Sequence, residues 1–274
     1  MIHAASRQAL ADLRGQVESV IGRFSTLDGL IGLADELYAV VDLLIGQPQL
    51  RRKIADPTTN AERRADLIGG LLADSVSAST TQVVRDAVML RWSSAWDLLD
   101  ALEISGDDAL LAGAEQDGAL DEVEDELFRF ERILDGDSRL ATLLDDYAAD
   151  ADRRIELVQR LVQDKAHLVT QRLLMHAVAS QRKRSVTHSI DALLELADRR
   201  RSRSMARVVS AVELSAVQEA RLAAALSELY GRTIAIRLAI DPDVLGGLVV
   251  HLGDEVIDGS IASRLIQAKN ALAG

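Results

Sequence analysis

The five histidines are the residues of this chain best suited to metal binding or proton transfer. They are His3, His167, His176, His188 and His251. None lies in a His-Glu-x-x-His pattern or beside a carboxylate at the spacing of metal ligands. There is no cysteine, which excludes disulfides, thiolate nucleophiles and cysteine-bound metals. The sequence therefore predicts no metal site and no cofactor, and histidines that are exposed or hydrogen-bonded.

An acidic run, DDYAADAD at residues 145–152, has the carboxylate density of a calcium-binding loop. It lacks the central glycine and the terminal glutamate of an EF-hand loop. The stretch ADPTTNAE at residues 55–62, which aligns with it in the repeat described below, keeps little of this charge. We therefore predict a solvated turn between two helices.

The glycine-rich stretch GGLVVHLGDEVIDGS, residues 246–260, is the best candidate for a phosphate-binding or catalytic loop. It contains neither Gly-x-x-x-x-Gly-Lys nor Gly-x-Gly-x-x-Gly, and Ser260 is not in a Gly-x-Ser-x-Gly elbow. The pattern instead predicts tight turns in a small sheet. Gly246 and Gly247 would permit positive φ, Asp258 and Gly259 would form a turn, and Ser260 would cap a final helix.

Aromatic and basic clusters offer two other kinds of binding surface. Trp92 and Trp96 are four residues apart, which predicts one face of a helix and packing rather than a ligand platform. The arginines between residues 199 and 203 predict a charged helix end before a linker. The net charge of -12 disfavours nucleic acid as a partner, since phosphate-backbone binders normally carry the opposite sign.

Helical periodicity dominates residues 5–200. In LADELYAVVDLLIG, residues 33–46, the apolar positions recur every three or four residues and form one stripe. Gly46 and Pro48 then predict the end of that helix. Aromatic residues make up only 3% of the chain, so its core must consist of aliphatic side chains, which favours packed helices. No stretch is long and apolar enough to predict a membrane span.

An internal repeat organises this helical part. Shifting the chain by 90 positions, from Asp35 to Asp125, aligns LADELYAVVDLLIGQPQL with VEDELFRFERILDGDSRL. The same shift aligns the Arg-Arg pair at 63–64 with the pair at 153–154 and places Gly46 on Gly136. Unrelated amphipathic helices share leucine and alanine, but they do not share such turns in one register. The sequence predicts a duplicated helical unit.

Residues beyond 200 change in character. ARVVSAVEL, TIAIRLAID and GLVVHLG alternate apolar and polar residues and predict three strands, and EVID predicts a short fourth. Ser215 and Gln218 form a capping box for a helix that ends at Gly231. The predicted fold is therefore mainly α, with two repeated helical-bundle units at residues 1–107 and 108–200 and a small α+β C-terminal domain at residues 201–274.

The C-terminal stretch DPDVLGGLVVHLGDEVIDGSIASRL resembles the signature of the delta subunit of F-type ATP synthases, called the oligomycin-sensitivity-conferring protein in mitochondria. The matching turn positions are Gly246, Gly247, Gly253, Asp254, Asp258, Gly259 and Ser260. Residues 108–146 are similar to the N-terminal helices of that family. Residues 1–107 are then an extra helical copy, as in the long actinobacterial form.

The resemblance implies a non-catalytic stator of a proton-translocating ATP synthase, at the cytoplasmic face of the cell membrane and without membrane insertion. Its helical part would bind N-terminal helices of the alpha subunits through a groove of Leu, Val and Ala. Its C-terminal domain would hold the C-terminal ends of the b subunits. Ile261, Leu265 and Ile266 are candidate contacts with b, or they cover the domain's own sheet.

Two other functions fit the residues. One is a free-standing helical adaptor or regulator that shares the α+β module. The other is an enzyme with a carboxylate site in a bundle groove, which predicts loss of turnover when Glu36 or Glu126 is changed. The repeated Asp-Glu pairs at 35–36 and 125–126 are more simply explained as charge on a helix surface.

Overall fold

The computed structural model describes residues 6–146, 148–180, 185–230, 234–241, 244, 246–252 and 255–258. The chain divides into two compact units, Met1–Ala197 and Asp198–Gly274. Within the described residues it is mainly helical, with twelve helices and a small four-stranded sheet in the second unit. The predicted division at residue 107 falls inside a helix, and the three-part division stays a prediction.

Eleven helices account for the helical part of the described chain. They are α1 (Ser6–Ile21), α2 (Leu27–Gly46), α3 (Pro48–Ala55), α4 (Ala61–Leu72), α5 (Ala78–Met89), α6 (Ala95–Gln116), α7 (Leu120–Gly136), α8 (Ser138–Leu144), α9 (Ala151–Val162), α10 (Leu168–Ala179) and α11 (Val186–Ser204). Several begin at a side-chain cap: Thr26, Asn60 and Ser77 each accept a hydrogen bond from a backbone N–H in the first turn of α2, α4 and α5. Such caps satisfy N–H groups that lack a partner within the helix.

The apolar stripe predicted for α2 forms part of the core. Leu33, Leu37, Val40, Val41 and Leu44 are all buried. They belong to a single apolar cluster that extends from Ala9 to Ala197. The first compact unit is therefore organised around one continuous core.

Helix α6 is the central element of this unit, because it packs against α1, α2, α3, α5, α7 and α10. It is buried on several sides, and its buried residues include the acidic Asp97, Asp100 and Glu103. It approaches α2 closely at Gly106, where an added Cβ would lie 2.6 Å from Cε1 of Tyr38. The small residue is needed there because the tyrosine ring fills the space beside the helix.

Substitution of Gly106 by alanine is expected to destabilise the helical unit by about 1–2 kcal/mol, since the clash with Tyr38 outweighs the better helix propensity of alanine. Chemical denaturation measures the change. Gly32→Ala is a matched control, because Gly32 is helical and exposed and its added Cβ meets nothing within 4 Å. It should leave stability unchanged or raise it by up to about 1 kcal/mol. Equal effects at the two sites would contradict the packing argument.

The structure corrects the helix predicted through Trp92. Helix α5 ends at Met89 and α6 begins at Ala95, so Trp92 lies in the link and Trp96 in the first turn of α6. Trp92 is buried, and its Nε1 donates to the carbonyl oxygen of Ala87 over 2.7 Å. The two rings therefore do not share one helical face.

The second unit contains β1 (Met205–Ser210), α12 (Ala216–Tyr230), β2 (Ala235–Ile240), β3 (Leu248–Leu252) and β4 (Glu255–Asp258). The strand order is β2-β1-β3-β4, with β1 parallel to β2 and the other neighbours antiparallel. The core of this unit is formed by Ala206, Val208, Leu226, Ile234, Val250 and Leu252. The predicted capping box is present, since Ser215 N donates to Gln218 Oε1 at 2.9 Å.

The alternation of the predicted strands places Ile240 and Val212 on their inward faces, but both residues are exposed. Ile240 is 58% exposed, because it is the last residue of an edge strand and does not contact the core. Val212 is 67% exposed, because β1 ends at Ser210 and the alternation does not continue beyond it. Alternation thus identified the strands but extended the inward face too far.

Candidate partner-binding site

An apolar groove lies on the surface of the helical unit, among α7, α9 and α10. We call it the α7–α9 groove. It has a volume of about 360 Å³. Apolar side chains form most of its wall, namely Phe130, Ile133, Leu161, Val162, Ala166 and Leu174. Arg129, Lys165, Glu126 and Thr170 supply the polar part of the lining. These side chains are suited to an amphipathic helix with one apolar face.

Two large aliphatic side chains of this groove face solvent. Ile133 is 53% exposed and Leu161 is 38% exposed. Single exposed apolar residues are common, but a pair that lines one groove indicates a binding surface. Leu43 and Leu71, on α2 and α4, are also exposed, at 43% and 53%.

The polar lining of the groove includes a structural carboxylate. Glu126 accepts two hydrogen bonds from the backbone N–H of His167, at 3.1 and 2.9 Å, and one from the Thr170 hydroxyl, at 2.6 Å. The Nδ1 atom of His167 in turn accepts from Val169 N. Glu126 therefore caps the first turn of α10 and ties it to α7.

Glu36 makes the same contacts at the start of α5. Its Oε2 accepts from Ser77 N at 2.9 Å and from the Thr80 hydroxyl. Burial raises the pKa of Glu36, but the hydrogen bonds from Thr80 and Ser77 outweigh it and the pKa is lowered overall. The carboxylate is thus held ionised as an acceptor for the backbone, which is a structural role.

Replacing Glu126 by alanine is expected to destabilise the helical unit by about 2 kcal/mol, because the N–H of His167 and the hydroxyl of Thr170 lose their acceptor. Glu36→Ala should give a loss of similar size, since Ser77 and Thr80 lose the same contacts. Denaturation of each variant tests this. Glu122→Ala, an exposed change in the first turn of α7, is the control and should cost less than about 0.5 kcal/mol. A loss at Glu126 no larger than at Glu122 would contradict the capping role.

A buried polar cluster joins α2, α6 and α10. The His176 ring stacks on Tyr38 with centroids 3.4 Å apart, and His176 Nε2 lies 3.3 Å from Glu103 Oε1. The Tyr38 hydroxyl donates to Asp107 Oδ1 at 2.7 Å, and the Ser180 hydroxyl donates to Glu103 Oε1 at 3.2 Å. We call this set of five residues the His176 cluster.

The cluster shifts the pKa values of its members. Burial raises the pKa of Asp107 to about 7, although His176 and the Tyr38 hydroxyl act in the opposite direction. Burial lowers the pKa of His176, but contact with Glu103 and the charges of Asp107, Glu103 and Asp42 outweigh it and raise the pKa overall. Burial and Asp107 raise the pKa of Tyr38 well above its usual value.

The glycine-rich stretch lies at the entrance to β3 and in β4. Gly246 and Gly247 have φ values of 67° and 84°, in the region that favours glycine. Asp258 is the last residue of β4. Gly253, Asp254, Gly259, Ser260, Ile261, Leu265 and Ile266 lie outside the described residues.

The acidic run and the arginine run have structural contacts. Asp145 Oδ1 accepts from Val186 N at 2.7 Å, and Asp150 caps α9 by accepting from Asp152 N. This segment connects α8 to α9, as predicted. In the arginine run Arg201 pairs with Asp198 at 2.8 Å, whereas Arg200 is buried rather than exposed. Helix α11 continues to Ser204, and β1 begins at the next residue.

Sequence reasoning missed the His176 cluster and a contact between Arg51 and Trp96. The Arg51 guanidinium lies 4.0 Å from the centroid of the Trp96 ring. Both features bring together residues from different helices, so no local spacing could indicate them. In the described part of the chain, no group of three His, Asp or Glu side chains is placed to hold a metal ion. Among the described helices, none combines the length and hydropathy needed to cross a bilayer.

Comparison with known proteins identifies the family. A family model described as "ATP synthase delta (OSCP) subunit" matches residues 108–272. The "ATP synthase subunit delta" of Streptomyces avermitilis is 43% identical over 271 residues, which cover 99% of this chain and 98% of that protein. The chain belongs to the ATP synthase delta (OSCP) subunit family. The Streptomyces griseus member is 41% identical over 273 residues and covers all of both chains.

Relatives within the delta (OSCP) family differ in length. The "ATP synthase subunit b-delta" of Mycobacterium sp. (strain KMS) is 43% identical over 265 residues, which are 94% of this chain but 60% of that longer protein. A chain in a cryo-EM structure of the Toxoplasma gondii mitochondrial ATP synthase hexamer is 22% identical. It covers 61% of this chain and 95% of its own, with a TM-score of 0.29, too low for a comparison of folds.

Proposed function

We propose that this delta (OSCP) family member is a non-catalytic stator of a proton-translocating F-type ATP synthase. It links the alpha/beta catalytic head to the membrane-anchored b subunits, so that rotor torque drives ATP synthesis. The observation that carries the proposal is the match to "ATP synthase subunit delta" along almost the entire length of both chains. A free-standing adaptor is not favoured, because an adaptor that shared only the C-terminal module would match such relatives only there.

The helical part is, in this proposal, a duplicated unit. Its support is the position of the helices: α4 and α9, Ala61–Leu72 and Ala151–Val162, differ by 90 at both ends, and so do α5 and α10. Glu36 and Glu126 are also 90 positions apart, and so are the backbone N–H groups that they accept from, those of Ser77 and His167. A shift of 90 positions places α1 on α6, and a second shift places α6 on α11. The proposed units at 1–107 and 108–200 therefore share α6 instead of being joined by a loop.

The α7–α9 groove is the proposed site for an N-terminal helix of an alpha subunit. Its lining is largely aliphatic and aromatic, and Ile133 and Leu161 are exposed there, uncovered by any helix in the described part of the chain. Arg129 and Lys165 at the rim suit a helix with carboxylates beside its apolar face. In the first copy of the repeat, residues 1–107, the corresponding exposed side chains are Leu43 and Leu71, which lie 90 positions before Ile133 and Leu161.

The C-terminal unit is the proposed site for the C-terminal ends of b. In the Mycobacterium relative named b-delta, the region that matches this chain is part of one longer polypeptide, which supports a close association of the two subunits. Ile261, Leu265 and Ile266 stay the proposed contacts. Leu265→Asp should weaken either b binding or folding of this unit, and an unchanged variant would contradict the assignment.

A peripheral position at the cytoplasmic face of the cell membrane follows from this role. No nucleic acid, metal or cofactor is needed for it. The carboxylates Glu36 and Glu126 support a non-catalytic protein, because each is engaged as an acceptor for the start of a helix.

Titration of the full chain with the alpha-subunit N-terminal peptide of the host tests the proposed function. Isothermal calorimetry should give saturable binding. The full chain is needed because a cut at residue 107 would divide α6. Membranes that carry the synthase without this subunit should regain ATP synthesis when the chain is added. Absence of both peptide binding and reconstitution would overturn the proposal.

A further inference from the structure

We propose that a second surface, on α3 and the start of α6, binds an acidic segment of a partner protein. This surface is a cleft of about 670 Å³, which we call the basic cleft. It is bounded by the last turn of α3 and by the link between α5 and α6. It is separate from the α7–α9 groove, and its ligand does not depend on the proposed stator function.

The cleft carries adjacent cationic side chains. Arg52 and Lys53 lie in the last turn of α3, line the cleft and are exposed. The neighbouring Arg51 is fixed against the Trp96 ring and donates to the carbonyl oxygens of Leu44 and Ile45, at 3.0 and 3.2 Å. These contacts orient one guanidinium, and Arg52 and Lys53 lie beside it as exposed cations.

One carboxylate belongs to the same lining, but it is engaged locally. Asp56 Oδ1 accepts hydrogen bonds from the backbone N–H and the hydroxyl of Thr58, at 2.9 and 2.7 Å. The hydrogen bond from the Thr58 backbone has the larger effect and that from its hydroxyl the smaller, and together they lower the pKa of Asp56. The Asp56 carboxylate is therefore engaged by the turn between α3 and α4. Because Arg52 and Lys53 outnumber it, the lining of the cleft has a net positive charge.

The cations of α3 have no counterpart at the corresponding place in the second copy of the repeat. The chain has a net charge of -12. Helix α8, which occupies the corresponding place 90 residues later, has Ala141, Thr142 and Leu143 where α3 has Arg51, Arg52 and Lys53. Helix α8 therefore lacks the cations that form the basic cleft on α3. This difference distinguishes the first helical unit from the second.

The chemistry of the cleft favours a peptide over other anions. Trp96 is 45% exposed beside Arg51, and Pro57 and Ala95 line the cleft, so the surface offers apolar contacts together with charge. A single phosphate would occupy a small part of such a volume. Nucleic acid and anionic lipid surfaces extend well beyond the cleft and would meet the negative charge of the rest of the chain, whereas a short acidic segment contacts the cleft alone. A segment that alternates carboxylates with an aliphatic residue matches both properties.

Fluorescence titration of the full chain tests this inference. The probe is a short capped peptide made only of glutamate and leucine, and its matched control has glutamine in place of glutamate. The chain contains two tryptophans: Trp92 lines the cleft, and Trp96 contacts Arg51 in the first turn of α6, so an emission change reports on this region. The glutamate peptide should bind at least about tenfold more tightly than the glutamine peptide, and added salt should reduce the difference.

Variants locate the binding. Arg52→Gln with Lys53→Gln should weaken binding of the glutamate peptide by about tenfold. Arg63→Gln with Arg153→Gln removes the same charge from exposed positions outside the cleft and should leave binding unchanged. Equal binding of the two peptides, equal loss in the two double variants, or displacement of the peptide by inorganic phosphate at a comparable concentration would each overturn the inference.

Discussion

Replacing both Ile133 and Leu161 by aspartate is expected to weaken binding of the alpha-subunit N-terminal peptide by at least about a hundredfold. These two side chains are half-exposed in the free chain and would be covered by the peptide. The variant loses the burial of two aliphatic groups, each worth about 1.5–3 kcal/mol when complete, and must desolvate two carboxylates instead. Calorimetric titration of the full chain measures the loss.

Stability should change little in the same variant, because exposed side chains contribute little to the core. We expect a change of less than about 1 kcal/mol in the free energy of unfolding. Met89→Asp with Leu143→Asp is the matched control, since these residues are 47% and 51% exposed and lie outside the groove. Its peptide affinity should equal that of the wild-type chain. Wild-type affinity in the Ile133 and Leu161 variant would exclude the α7–α9 groove as the alpha-subunit site.

The stability of the helical unit is expected to depend strongly on pH. The free energy of unfolding of the helical unit is expected to fall by roughly 2–4 kcal/mol between about pH 5 and about pH 8. Burial raises the pKa of Asp107 to about 7 in the folded chain, from an ordinary value of 3.8. Between these two values the unfolded chain binds fewer protons than the folded chain at this site, so stability decreases as the pH rises.

His176 acts with the same sign. Its pKa is lowered by burial and raised by Glu103 and by neighbouring carboxylates, with a net rise above 6.5. The stability that it contributes is fully present below pH 6.5 and is lost as the pH rises through the folded value. The lowered pKa of Glu36 has the opposite sign, but its contribution changes only near and below about pH 4.5.

Asp107→Asn isolates the effect. Asparagine keeps an oxygen that accepts from the Tyr38 hydroxyl, but it cannot ionise. The stability of the variant relative to the wild-type chain should rise by about 2–3 kcal/mol between about pH 5 and about pH 8, and the two chains should be similar only near about pH 3. Tryptophan emission during urea denaturation measures the helical unit alone, because Trp92 and Trp96 both lie in it. An exposed control, Asp121→Asn, should keep the wild-type slope, whereas an unchanged slope in Asp107→Asn would refute the assignment.

Local patterns predicted much of the fold. The apolar stripe of α2, the end of that helix at Gly46 and the Ser215–Gln218 box all depend on residues a few positions apart. The strands were also recognisable, because alternation reports on one buried face. Ile240 shows the limit of this signal, since alternation does not reveal that a strand lies at a sheet edge.

Features that depend on distant residues could not be predicted. The sequence of α6 has only a weak apolar stripe, because other helices surround it and several of its own carboxylates are buried. A predicted division therefore fell at residue 107, inside the helix. The stacking of His176 on Tyr38 and of Arg51 on Trp96 likewise requires the packing of separate helices. The exposure of the groove residues Ile133 and Leu161 also depends on how the described helices pack, and no local pattern indicates it.

The rotation of helix α6 about its own axis is fixed by helices that come both before and after it in the chain. Helix α6 contacts α1, α2 and α5, which precede it in the chain, and α7 and α10, which follow it. Inserting one residue midway would rotate its second half by about 100° and advance it by about 1.5 Å, so one set of partners would lose its packing face. A change in the length of α6 would therefore keep the packing of both halves only in steps of about two turns, which restore the phase.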